Sequence, residues 1–377
     1  MPITLNGDTG ILTPMYNGSI TSNAVTPSVN MKSRIINGAM VIDQRNAGAS
    51  VTGNDNVFGV DRFKIQASQS SKLTVQQNAG SVTPPAGFKN YIGITSSSAY
   101  TVLSGDYFTL EQPIEGYNIA DLDWGTANAK TVTLSFWVRS SLTGTFGGVL
   151  QNVNTYSYPF TYTISSANTW EQKSITVTGA TTSTWGSTNA VGIRVHFGLG
   201  IGTTFAGTAG AWAAANLLGA TGQTNIVSTN GATFYITGVQ LEVGSTATSF
   251  DYRPFGTELA LCQRYCINYK SSDAGNYMRY GSGYANSATN LEINVHFPVT
   301  MRTNPSLTVT STASNYAIYV AGGVNACSTV PALDSASDNP SVCTVNANTA
   351  GSFSSSAGGS ILSNNNTTSY MLFTAEL

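Results

Sequence analysis

Charge is the scarcest commodity in this 377-residue sequence: Asp, Glu, Lys and Arg make up 9% of it, against a usual figure of about 25%. With a net charge of −2 there is no broad basic footprint, which argues against bulk nucleic-acid binding. Histidine is rarer still. His196 and His296 are the only two, each inside an alternating run, so their spacing suggests neither a two-His metal site nor a Ser-His-Asp triad. Both are read as ordinary strand residues. Four cysteines are too few for a disulfide framework. Cys262 and Cys266 fall one turn apart on an expected helix, a poor geometry for a bridge, while Cys327 and Cys343 could pair. No stretch approaches the roughly 18 consecutive apolar residues of a membrane span. The opening MPITLNGDTGILTP lacks a basic stretch ahead of an apolar one, so neither membrane insertion nor a secretory leader is expected. No G-x-x-x-x-G-K-[ST] phosphate loop and no D-x-[DN]-x-[DN]-G calcium loop occurs. No metal or cofactor site is therefore nominated.

What is abundant is hydroxyl and amide: Ser, Thr and Asn together form about a third of the chain. Hydrophobic residues at 41% and aromatics at 10% distinguish it from a disordered polar chain. The length suggests two or three domains. Residues 1–34, with Pro2, Pro14 and Pro27 among Asn, Gly, Thr and Ser, carry no period and read as an extended arm. Residues 35–255 alternate in the manner of strands. In Thr131–Arg139, Val132, Leu134, Phe136 and Val138 point one way and Thr133, Ser135, Trp137 and Arg139 the other. Similar runs at 106–114, 160–164, 172–177, 191–197 and 233–243, separated by turn clusters, predict an antiparallel jelly-roll sandwich. Residues 256–267 predict a short connecting helix with Thr257 as N-cap. Residues 268–377 alternate again at 291–297, 307–310 and 370–377, predicting a second, smaller β-sandwich domain. Its Gly-, Ser- and Asn-rich stretch 346–368 reads as loops. The fold class expected is all-β.

Aromatics carry the recognition candidates, because sugar rings stack on flat side chains while amides and hydroxyls meet their polar edges. Trp185 and Trp212 lie in loop-like segments and read equally as loop anchors or binding residues. Trp124 with Tyr117 reads as a platform or as a lid over one end of the sandwich. Trp137 and Trp170, in strand contexts, read as packing residues. Tyr277, Tyr280 and Tyr284 lie among Asn, Ser and Gly, a composition that suits both adaptable contact surfaces and a packed strand. Asp251 and Arg253 predict an ion pair fixing the exit from the sandwich, and Asp43 with Arg45 a similar one at its entrance. Carboxylate pairs such as Asp121 with Asp123, or Glu111 with Glu115, can be proposed for glycoside cleavage, but surface or turn positions account for them, and no catalytic residue is nominated.

Several long motifs are specific. Ile35–Asn46 (IINGAMVIDQRN), Val60–Phe63 (VDRF), Ala232–Gly244 (ATFYITGVQLEVG), Phe250–Gly256 (FDYRPFG) and Glu258–Tyr265 (ELALCQRY) closely resemble tail-fibre and other adhesion-type structural proteins of tailed bacteriophages. The run Ser135–Arg139, Trp170–Lys173 and Phe234–Glu242 is also similar to jelly-roll carbohydrate-binding modules. Those modules usually carry an Asp in the late strand, where this chain reads Thr237-Gly-Val239. The resemblance implies a virion protein made in the host cytoplasm, most simply a homotrimeric tail fibre or receptor-binding protein. Residues 1–34 would then attach to other tail or capsid proteins, and the C-terminal domain would meet a host-surface glycan or protein receptor. Head-decoration, head-fibre and baseplate roles, and a polysaccharide-cleaving tailspike, stand beside it.

Overall fold

The computed structural model describes residues 4–6, 10–12, 31–153, 155–334 and 339–377. Most of the expected N-terminal arm lies outside them. The fold is all-β in two sandwiches, the first a jelly roll of two six-stranded antiparallel sheets. One sheet runs in the order Ser157–Ile164, Gly144–Gln151, Val191–Ile201, Tyr107–Glu115, Phe63–Ala67, Val57–Val60. The other runs Glu171–Val177, Val132–Ser140, Thr233–Val243, Ile92–Ser96, Leu73–Gln77, Val51–Thr52. Alternation sets which side chains meet. Val132, Leu134, Phe136 and Val138 are all fully buried, and Phe136 reaches across the sandwich to lie edge-on to Phe197 and Tyr162, each at 5.0 Å. Burial of each such side chain contributes about 1.5–3 kcal/mol.

Two features explain the Ile35–Gly38 and Thr237–Val239 motifs. The late strand Thr233–Val243 slips register between Thr237 and Gln240 against its neighbour Val132–Ser140. Gly238 sits in the slip with φ +62°, where a Cβ would meet the Phe88 ring at 2.6 Å. The position demands glycine. Beside it the entrance segment threads along the strand, Arg34 N donating to Leu241 O and Val239 N to Gly38 O. A Cβ on Gly38 would fall 2.0 Å from Val239 O. Trp137 packs near Gly238, and Trp170 sets its edge on Tyr91 while its Nε1 donates to Thr83 O at 2.9 Å. Both rings are packed against neighbouring side chains and are partly buried.

The helix runs Phe255–Gln263 and is capped by Pro254, not Thr257. The amides of Thr257 and Glu258 both donate to Pro254 O, so Pro254 already holds the N-cap position and Thr257 is inside the first turn. Arg253 behaves as expected, lying 3.8 Å from Asp251, and it also reaches Glu258 at 3.4 Å and Ile35 O at 3.0 Å. The pairing expected of Asp43 and Arg45 does not form. Asp43 accepts the amides of Asn46 and Gly48 in its own turn, and Arg45 pairs with Glu376 at 2.7 Å and Asp61 at 3.5 Å.

The second sandwich faces a three-stranded sheet (Cys266–Lys270, Tyr370–Thr374, Ser306–Val309) with a seven-stranded one. The latter runs Gly323–Ala326, Tyr316–Val320, Gly358–Ser363, Arg279–Ala285, Asn290–His296, Val342–Asn348, Ala332–Leu333. Leu291, Ile293, Val295, Val345, Ile361, Met371 and Phe373 form its core. The stretch 346–368, expected as loops, contains the strand Gly358–Ser363 in the interior of the sheet. Gly359 is needed there because a Cβ would lie 2.6 Å from Val320 and 2.7 Å from Tyr319 O.

The two sandwiches are joined by a network that gathers many of the chain's few charges. Glu376 holds both Arg45 and Arg62, and the Arg62 guanidinium stacks 3.6 Å over the Tyr265 ring. Arg264 pairs with Glu115 at 2.5 Å, Tyr265 Oη donates to the same carboxylate at 2.6 Å, and Arg302 Nε donates to Ala375 O at 2.8 Å. Burial alone would raise Glu115, but the hydrogen bonds from Arg264 and Tyr265 prevail and hold it below the usual carboxylate range.

Candidate functional site

At one end of the jelly roll, loops bring Trp124, Trp185 and Trp212 into mutual edge-to-face contact, with centroids 4.7, 5.3 and 5.4 Å apart. Tyr156 stacks on Trp212 at 5.4 Å with 5° between planes, and Tyr158 meets it edge-on at 5.2 Å. Each indole N–H is spent inside the chain: Trp124 on Lys130 O, Trp185 on Thr182 O and Trp212 on Thr178 O. The rings extend the main core of the jelly roll to this end and tie its loops together. Tyr117 is 62% exposed and makes no ring contact with Trp124 among the described residues.

The seven-stranded sheet presents a different kind of surface. Leu291, Ile293 and Val295 point inward, which leaves Glu292, Asn294 and His296 outward. Register aligns Tyr284, Glu292 and Asn346 in one row across three strands, and Ser282, Asn294 and Thr344 in the next. The second row continues through Ser360 to Tyr319. Arg279 lies 4.6 Å over the Tyr319 ring and donates to Ser360 Oγ. Hydrogen bonding to Glu292 pushes the Tyr284 phenol up. Tyr284 is 53% exposed, and Tyr277, in the turn before its strand, 57%. Tyr280 is not available to a ligand. It is 6% exposed, packs in the second core and donates its hydroxyl to Ser369 Oγ at 2.8 Å. A register shift between Arg279 and Gly281 separates its side from that of Tyr284. Tyr319, Arg279, Asn294 and Asn346 were not singled out from sequence, although the alternation of 291–297 marks Asn294 as outward-facing.

The acids proposed for cleavage chemistry are engaged elsewhere: Asp121 pairs with Arg34, Asp123 with Lys130, Glu111 with Arg194 and Glu115 with Arg264. No group of three or more His, Cys, Asp or Glu able to hold a metal occurs among the described residues. All four cysteines are buried thiols, Cys327 and Cys343 included, and burial pushes the Cys327 thiol up to about 12. No helix among the described residues is long and apolar enough to cross a membrane.

Both histidines lie on strands, and His196 is fully buried beside Thr109. Burial, with Arg194 and Lys64 nearby, lowers its imidazole from 6.5 to about 3. The unfolded chain therefore takes up this proton first. The stabilising contribution of the neutral ring is complete above pH 6.5 and is lost as pH falls toward about 3. Asp61 has the opposite sign: burial raises it from 3.8 to about 6, so its contribution is complete below 3.8 and is lost as pH rises to about 6. The His196→Asn variant should accordingly gain stability relative to the parent chain as pH falls from about 6.5 to about 4. Urea midpoints measured across that range check this, and parallel curves for the two proteins would refute it.

No family model matches this sequence, and no curated protein matches it. Among solved structures, the chain is similar to the enzymatically active domain of tailspike protein 4 of bacteriophage CBA120, with a TM-score of 0.30 and 13% identity over 54% of this chain and 22% of that one. The match thus spans under a quarter of that domain's length. It is also similar to a carbohydrate-binding module of family 4, with a TM-score of 0.28 and 15% identity over 55% of this chain and 98% of the module. A family 11 carbohydrate-binding module from Clostridium thermocellum, in complex with a mixed-linked tetrasaccharide, gives a TM-score of 0.27 and 11% identity over 54% of this chain and all of the module.

Proposed function

We propose that this chain is a glycan-binding, non-enzymatic attachment protein of a tailed-phage virion, working as a homotrimeric tail fibre. The observation that carries the reading is the outer face of the seven-stranded sheet. Tyr284 offers an open ring face there and Tyr319 carries Arg279 over its ring, beside Glu292, Asn294 and Asn346, with their backbones fixed by strand pairing. Such a face has the stacking surfaces and hydrogen-bonding edges that a pyranose requires. Support for the virion setting comes from the Ile35–Asn46, Ala232–Gly244 and Phe250–Gly256 motifs. Weak individual contacts suit such a protein, because several copies engaging one cell convert low affinity into firm attachment.

The test is binding of the purified chain to host cells before and after Tyr284→Ala. The expected result is about fivefold to tenfold weaker attachment, the size of one lost ring contact, with an unchanged melting temperature. Undiminished attachment would remove the sheet face from the reading, and a monomer at physiological salt would remove the trimer.

A further inference from the structure

The seam between the sandwiches lies apart from the exposed tyrosine face and is lined by different residues. A cleft of about 350 Å³ opens between the Arg45–Asn46 turn of the jelly roll and the outer side of the three-stranded sheet. Register dictates what lines it. Lys270 stands opposite Tyr370 and Asn268 opposite Leu372, while their chain neighbours Ile267, Met371 and Phe373 turn into the core. Ser272 and Thr367 add hydroxyls at the rim.

We infer that this cleft binds a single carboxylated sugar unit, such as a uronic acid. The cleft combines the three kinds of group that such a ligand needs. Lys270 has no ion pair among the described residues, which makes it the free cation for a carboxylate. Arg45 is already held by Glu376 and Asp61, so it contributes a fixed wall and not a second free charge. Asn46 uses its amide nitrogen on Phe58 O at 2.8 Å, which leaves its carbonyl oxygen without a donor among the described residues and suited to a sugar hydroxyl. Leu372 and the Tyr370 ring provide apolar surface for the C–H face of a pyranose. The volume lies at the lower end of the range for ligand sites, about 300–1,000 Å³, which fits one ring and not a chain.

The experiment titrates the full chain with glucuronate, glucose and acetate, following heat or amide NMR shifts. Glucuronate should bind with a millimolar dissociation constant. Glucose, lacking the carboxylate, and acetate, lacking the ring, should each bind about tenfold more weakly. Lys270→Gln should lower glucuronate affinity about tenfold and leave glucose unchanged. Equal binding of glucose and glucuronate, equal binding of acetate and glucuronate, no glucuronate binding, or full affinity in the Lys270→Gln variant would each overturn the site. Cell attachment is not the readout, so failure here leaves the Tyr284 reading standing, and the reverse holds too.

Discussion

Replacing Glu376 with alanine is expected to cost about 3–5 kcal/mol of stability, a large share of the 5–15 kcal/mol typical of a folded domain. The carboxylate lies between two guanidiniums that are almost out of solvent: the side chain of Arg62 is 1% exposed and that of Arg45 11%. Removing the acid leaves Arg62 packed on Tyr265 with a positive charge and only Pro113 O, at 2.6 Å, to receive one of its N–H groups. A buried charge deprived of its counter-ion is far costlier than a pair that never formed. Glu376→Gln should lose nearly as much, because it keeps the shape and discards the charge. Urea unfolding followed by both tryptophan fluorescence and circular dichroism measures the loss. It should also separate the two signals, since the tryptophans all belong to the first sandwich. A loss below about 1 kcal/mol would mean that the network is solvated like a surface pair.

The second large effect is expected at Trp212. Trp212→Ala should destabilise the jelly roll by about 3 kcal/mol or more, the usual range for deleting a packed aromatic. Four rings lose their common neighbour, and Thr178 O loses its N–H donor. Trp212→Phe should recover part of the packing and none of the hydrogen bond. Attachment to cells, corrected for the folded fraction, should be unchanged in both variants. Reduced attachment at unchanged stability would instead make the tryptophan cluster a ligand site.

How far the sequence reveals the molecule depends on how local each cause is. The strand Thr233–Val243 reads directly because apolar and polar residues alternate along it and Gly244 closes it. The inward set on Val132–Ser140 is equally plain. Gly358–Ser363 is invisible because its residues, GGSILS, have little side chain to alternate, and its place in the sheet is fixed by close approach to a neighbouring strand. Tyr280 and Tyr284 look equivalent until a register slip assigns them to different environments. Arg45 looks like a partner for Asp43 two residues away because its actual partner, Glu376, lies 331 positions along the chain. The aromatic loops were identifiable as candidates, but only their convergence shows that the indoles serve one another first.

The outer rows of the seven-stranded sheet bear on how such a protein changes over generations. Tyr284, Asn294, Thr344 and Asn346 occupy alternate positions whose immediate neighbours, Ala285, Val295, Cys343 and Val345, supply the buried packing. Substitution at the outward sites therefore leaves the interior untouched and keeps the backbone spacing of the rows. Such an arrangement lets the outer face change its chemistry at little structural risk, one outward residue at a time.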